Sequence, residues 1–178
     1  MKIATIGRGM LGSALGRRWE QAGHTVTLLG RDGGDVSDAD AVLVAVPSNA
    51  ITDALSKVSG LDGKVALDAT NAFAGRNPGY DSFAHEVKAS TNGPVAKAFN
   101  AFYSSRLDDA GRQRVRPGLL YAADDAAREV TEQLIRDVGH EPVAVGGLDR
   151  ARALEDFFTE LLLKIGHVFY RFASPGDL

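Results

Sequence analysis

The sequence predicts an α/β protein: an open, doubly wound, mostly parallel sheet that lacks its outer edge strand and is followed by a C-terminal helix. Three observations carry that expectation. Short apolar runs alternate with helical periods along residues 1–147. A glycine cluster stands between the first strand and the first helix. After the second strand only eleven residues, Gly30 to Asp40, precede the next one.

Lys2–Ile6 is a short apolar run and reads as the first strand. Met10–Ala22 has a helical period and stops at Gly23, a suitable C-cap. Thr25–Leu29, rich in β-branched residues, is the second strand. Ala41–Val46 is the third, apolar on both faces as a strand covered by helices must be, and Pro47 ends it. Eleven residues cannot hold a helix, a further strand and a return, so the second strand crosses directly to the third. Asn49–Val58 is helical by period, Val65–Leu67 a strand, and Ser82–Ala89 a short helix. Val95–Phe99 and Leu119–Ala122 are strands. Asp124–Val138 is a helix opening on two acids, which suit the positive end of its dipole. Glu141–Val145 closes the series, and right-handed crossovers are expected throughout.

From Asp149 the pattern changes. Leu154, Phe157, Phe158, Leu161, Leu162, Ile165, Val168, Phe169 and Phe172 fall at helical spacing for about five turns. Two units are therefore expected, residues 1–147 and a C-terminal helical segment, residues 148–178. The stripe has two uses open to it: packing on its own sheet, or sharing at a homodimer interface.

A chain of 178 residues that is 44% hydrophobic can bury one sizeable core. A net charge of −3 argues against a nucleic-acid surface. The absence of cysteine excludes disulfides, thiolate metal sites and a cysteine nucleophile. Apolar runs of about six residues fall far short of a membrane span, and the N-terminus runs directly into a strand, so a soluble cytoplasmic protein is expected. His24, His85, His140 and His167 show no ligand spacing, and no metal site is expected. His24 and His140 follow glycines in turns and read as structural; His167 reads as an interface or core-edge residue. Lys97 lies inside an apolar strand, where its stem would run along the strand and its charge would reach water at the sheet end. Arg112, Arg114 and Arg116 read as a solvated loop.

The most informative element is Gly7-Arg8-Gly9-Met10-Leu11-Gly12, a G-x-G-x-x-G between a strand and a helix. Gly7 permits the tight turn, Gly9 lets a pyrophosphate approach the backbone, and Gly12 lets the helix pack closely on the strand. Free amides at the helix start then face the diphosphate. This is the Rossmann-type dinucleotide arrangement. Where NAD-preferring sites carry an acid, this chain has Leu29-Gly30-Arg31-Asp32. Gly30 leaves room, and Arg31 can clamp a 2′-phosphate and stack on adenine, which favours NADP(H). Asp32 could instead take the ribose hydroxyl. Without an outer strand the adenine side would be shallow and open.

IGRGMLG, LLGRD, VPSNAI, KVALDATNAF, VAKAFNAF, LLYAADDAA and LIRDVGHEPVAVGGLDRARALE follow one another in this order. Together they resemble the F420-dependent NADP oxidoreductases and related predicted dinucleotide-binding enzymes, with the reductase domain of the membrane ferric reductases as a more distant cousin. The resemblance implies that Gly7 to Gly12, with Gly30 in place of a serine and Arg31 beside it, bind NADP. It implies that Val46-Pro47-Ser48 borders the dinucleotide, that Asn71 lies at the next strand end, and that Lys97 to Asn100 lies beside the nicotinamide. Asn100 would position the nicotinamide or an acceptor ring, and Ser104, at a helix start, would face a polar acceptor group or act as a cap. No acid–base residue is singled out.

The implied reaction is hydride transfer between NADP(H) and a small-molecule redox acceptor, a deazaflavin (coenzyme F420) or a flavin, FMN or FAD. It asks mainly that two rings be stacked and water excluded. The chain is shorter than typical F420-dependent enzymes, which also admits a flavin acceptor passing electrons to ferric iron. Two other readings stand beside it: reduction of a small imine or carbonyl, and a non-catalytic NADP(H)-binding sensor.

Overall fold

The computed structural model describes residues 1–173 and 176. The last positions of the expected C-terminal segment, 174–175 and 177–178, lie outside the described residues. In chain order the strands are β1 (Lys2–Ile6), β2 (Thr25–Leu29), β3 (Gly34–Asp35), β4 (Ala41–Val44), β5 (Val58–Ser59), β6 (Val65–Asp68), β7 (Val95–Lys97), β8 (Gly118–Ala123) and β9 (Glu141–Ala144). The helices are α1 (Met10–Gln21), α2 (Ile51–Ser56), α3 (Phe83–Thr91), α4 (Leu107–Ala110), α5 (Asp125–Asp137), α6 (Ala151–Asp156) and α7 (Leu163–Ile165).

Seven strands form the main sheet in the order β2-β1-β4-β6-β7-β8-β9. Neighbours are parallel except β7 and β8, which are antiparallel. As expected, β2 ends the sheet. Residues 30–40 instead make a tight turn, with the Gly33 amide donating to the Gly30 carbonyl, and a two-residue ladder between β3 and β5.

Strand side chains alternate between two buried layers. Ile3, Ala41, Leu43 and Leu67 face α1 and α5, packing on Leu15, Trp19, Leu134 and Ile135. Ala4, Ile6, Val42, Val44 and Ala66 face α2 and α3, packing on Ile51, Leu55, Phe83 and Val87. The Trp19 indole N–H donates to the Leu134 carbonyl at 3.0 Å and ties α1 to α5.

The C-terminal helix departs from the expected five turns. α6 runs on through a π-helical stretch, Phe157–Leu162, into α7, and the helix ends at Gly166, whose φ is +99°. Val168, Phe169 and Phe172 therefore lie beyond it. Their helical spacing is coincidental, because the chain turns back to pack on the sheet. The Gly118 amide donates to the Tyr170 carbonyl at 2.7 Å, and the Tyr170 hydroxyl donates to the Ala101 carbonyl at 2.7 Å. Leu154, Phe158 and Leu162 are buried, whereas Leu161, Leu163, Ile165, Val168 and Phe172 are exposed. No helix among the described residues is long and apolar enough to cross a membrane.

Candidate functional site

The glycine loop leaves β1 and enters α1 at the C-terminal edge of the sheet. Gly7 has φ +106°, and a Cβ there would stand 2.3 Å from the Ala45 carbonyl oxygen, so the turn requires glycine twice over. A Cβ on Gly12 would stand 2.0 Å from the Gly7 carbonyl oxygen and 2.8 Å from Thr5 Cγ2, which explains how α1 lies so close to β1. Gly9 differs. A Cβ there would meet no protein atom within 4 Å, so the room it leaves opens outward. Gly9 is also the N-cap of α1, with no side-chain cap and no acid in the first turn. Amides at the start of a twelve-residue helix thus face open space with no acid in the helix's own first turn, an arrangement that fits a diphosphate.

In front of this loop is a cleft of about 810 Å³. It is lined by Gly7, Arg8, Gly9, Gly30, Arg31, Val46 and Pro47 of the expected site, together with Asp32, Ala45, Ala50, Asp53, Ala54 and Lys57. Met10 is exposed and Leu11 half-buried on the first turn of α1, and Gly12 is buried behind them. The end of the cleft beside Gly30 and Arg31 owes its shape to the short connection after β2. A Cβ on Gly33, at φ +72°, would stand 1.9 Å from the Lys57 carbonyl oxygen, and the Gly34 amide donates to that carbonyl at 3.2 Å. The end of α2 thereby becomes a wall of the cleft. Lys57 was not foreseen. Its signal was the missing edge strand, which leaves that wall to α2. Its ammonium pairs with Asp53 at 2.7 Å.

The chain has a Rossmann-type α/β fold. Among solved structures it superposes on a candidate F420-dependent NADP reductase from Arthrobacter sp. FB24, with a TM-score of 0.80 and 22% identity over 98% of this chain and 100% of the other. A hypothetical protein from Sinorhizobium meliloti gives a TM-score of 0.70 and 23% identity over 97% and 94% of the two chains. An imine reductase variant from Myxococcus stipitatus in complex with NAD+ gives 0.66 and 20% identity, covering 92% of this chain and 61% of the reductase. No protein-family model matches the sequence, and no curated protein is significantly similar to it.

Asn71 and Asn100 come together at the ends of β6 and β7, outside the lining of the cleft. Asn71 Nδ2 donates to the Asn100 carbonyl at 2.8 Å. Asn100 Nδ2 donates to Asn71 Oδ1 and to the Leu154 carbonyl, both at 3.0 Å. Asn100 is buried and its Oδ1 has no hydrogen-bond partner, so it fastens the strand ends to α6, with one acceptor unused. Phe99 just before it has φ +61°, a strained conformation for a non-glycine residue, and ends β7 two residues earlier than the apolar pattern suggests. Ser104 is half-buried and opens a 3-10 turn, Ser104–Arg106. The segment carrying Asn71 is tied to the cleft wall: Ser48 Oγ donates to the Gly75 carbonyl at 2.9 Å and accepts from the Ala74 amide at 3.3 Å.

Lys97 corrects the expectation of a charge carried out to the sheet end. It is fully buried. Its Nζ donates to Asp68 Oδ2 at 2.7 Å and the Thr70 carbonyl at 2.6 Å, and lies 3.3 Å from Glu155 Oε1. Arg76 pairs with the same Glu155 and, at 2.7 Å, with Asp156. The reason lies far along the chain: Glu155, also fully buried, arrives on α6 and holds the lysine inside. Burial pushes the Glu155 carboxyl above the usual range, with Lys97 opposing. Strand periodicity alone cannot reveal such a partner.

Proposed function

We propose that this chain is an NADP(H)-dependent oxidoreductase that passes hydride between NADP(H) and a deazaflavin (coenzyme F420) or flavin ring. One observation carries the reading. An uncapped helix start behind the glycine loop opens on a cleft whose adenine end holds Arg8 and Arg31, neither ion-paired within 4.0 Å among the described residues. Amides of the loop would hold the diphosphate, and a guanidinium would select the phosphorylated ribose. When bound, the nicotinamide supplies the hydride. The protein's own contribution is positioning: Val46 and Pro47 form the wall, and Asn71 and Asn100 fix the neighbouring strand ends.

The acceptor side suits a planar ring. Exposed Phe73 stands edge-on to Phe158 at 5.9 Å, Tyr103 tilts against Phe158 at 5.7 Å, and His167 stacks on Tyr103 at 4.2 Å. Exposed Phe73 and His167 and half-buried Tyr103 offer flat faces around the buried Phe158. The fold likeness to a candidate F420-dependent NADP reductase points the same way. We also assign the exposed row Leu161, Leu163, Ile165 and Val168 to a homodimer contact.

The test is fluorescence titration with NADPH and NADH, followed by loss of nicotinamide absorbance with coenzyme F420, FMN, FAD and ferric chelates offered in turn. Turnover with a ring acceptor supports the proposal. Tight binding without turnover would favour a sensor, and turnover of a small imine without a ring cofactor would favour an imine reductase. No affinity for either nucleotide would overturn all three.

A further inference from the structure

Gly30 is shaped by the side chain of a residue on another element. Its φ lies outside the left-handed range, so the backbone does not demand glycine there. A Cβ at this position would instead stand 2.8 Å from Cζ, 2.9 Å from Nε and 3.0 Å from Nη2 of Arg8. The Arg8 guanidinium therefore lies across the end of β2, in the place that any larger residue at position 30 would claim. Arg31 follows Gly30 in the same tight turn.

We propose that Arg8 is a specificity-determining residue, forming with Arg31 a two-armed clamp on the 2′-phosphate and using Gly30 as its seat. The inference rests on the NADP(H) reading above and assigns that site a second arm. Direction is what separates this role from a simpler one. An arginine in the glycine loop could turn toward the diphosphate, which NADH and NADPH share. Arg8 instead reaches toward Gly30 and Arg31, at the end of the cleft where the two nucleotides differ. A phosphate arriving there also meets acids. Asp53 is neutralised by Lys57 at 2.7 Å, which leaves Asp32 against two guanidiniums. Two planar, permanently charged forks match a phosphate dianion, and the one lying flat on Gly30 keeps a face for adenine.

The test is equilibrium titration of wild type, Arg8→Ala, Arg31→Ala, Gly30→Ala and the Arg8→Ala/Gly30→Ala double variant. The ligands are NADPH, NADH, adenosine 2′,5′-bisphosphate and AMP. Arg8 is exposed and Gly30→Ala meets only the far end of a flexible side chain, so both variants should keep the fold. Arg8→Ala should weaken NADPH and the bisphosphate about tenfold or more, and NADH and AMP less than about twofold. Gly30→Ala should show the same selective loss on its own and little further loss once Arg8 is gone, because both changes remove the same arm. Equal losses for NADPH and NADH in Arg8→Ala would assign Arg8 to the diphosphate and overturn the proposal. So would additive losses in the double variant. If wild type prefers NADPH and only Arg31→Ala abolishes that preference, the second arm falls and the NADP(H) reading stands. If wild type binds neither nucleotide, both fall.

Discussion

Asp68 and Lys97 face one another as register partners in adjacent parallel strands, and their carboxylate and ammonium meet at 2.7 Å with no solvent-exposed surface on either. Glu155, Thr70 and Arg76 complete the set, so β6, β7 and α6 are joined by charge in the interior. Such a pair need not stabilise the fold relative to hydrophobic residues, but removing one member leaves the other buried and unpaired.

Lys97→Met should therefore destabilise the protein by about 3–5 kcal/mol. Urea unfolding followed by fluorescence can read this directly, since Trp19 is the single tryptophan and is fully buried. A loss below about 1 kcal/mol would mean that the charges relax into water and are not held as a unit.

The glycines of the loop should separate by mechanism. Gly12→Ala puts a methyl 2.0 Å from a backbone oxygen, forcing α1 away from β1; thermal stability should fall, by about 1–3 kcal/mol, along with nucleotide affinity. Gly9→Ala meets nothing in the protein, so the melting midpoint should hold while nucleotide affinity drops. An unchanged affinity in Gly9→Ala would place the diphosphate elsewhere.

His140 makes stability depend on pH. Burial pushes it down to about 4, from 6.5 in the open, and its Nε2 has no hydrogen-bond partner. Between those two values the unfolded chain binds a proton that the folded chain refuses, so stability rises with pH across that window. The contribution is present above 6.5 and is lost as the pH falls toward 4, about 3 kcal/mol in all. A His140→Leu variant should show a correspondingly flatter profile of urea midpoints between pH 7 and 4.5. Parallel profiles for the two proteins would contradict a neutral buried imidazole.

The homodimer assignment is tested at Leu161 and Ile165, both exposed on the C-terminal helix. Light scattering should give a dimer mass for wild type and a monomer mass for Leu161→Glu/Ile165→Glu. A monomeric wild type would dismiss the assignment.

Local signals were legible in the sequence and distant ones were not. Gly7, Gly9, Gly12 and the eleven-residue gap after Leu29 act on their immediate neighbours, and the turn from β1 into α1 and the missing edge strand beyond β2 follow from them. Lys97 could not be read in the same way, because the acid that keeps it buried, Glu155, lies 58 residues away on another element. The end of the last helix was misjudged for a related reason. Val168 and Phe169 keep the helical spacing, but Gly166 stops the helix and Tyr170 hydrogen-bonds to residues on the sheet side. Lys57 entered the cleft wall only because residues 30–40 fold down on it.

The wall of the cleft is drawn entirely from residues 7 to 57, whereas the flat aromatic faces and paired asparagines all come from residue 71 onward. Under the proposed function, choice of nucleotide and choice of redox partner would be written in separate stretches of the chain. Grafting the 30–40 turn from an NAD-preferring protein of this fold should then retune the first without disturbing the second, leaving the two preferences to evolve independently.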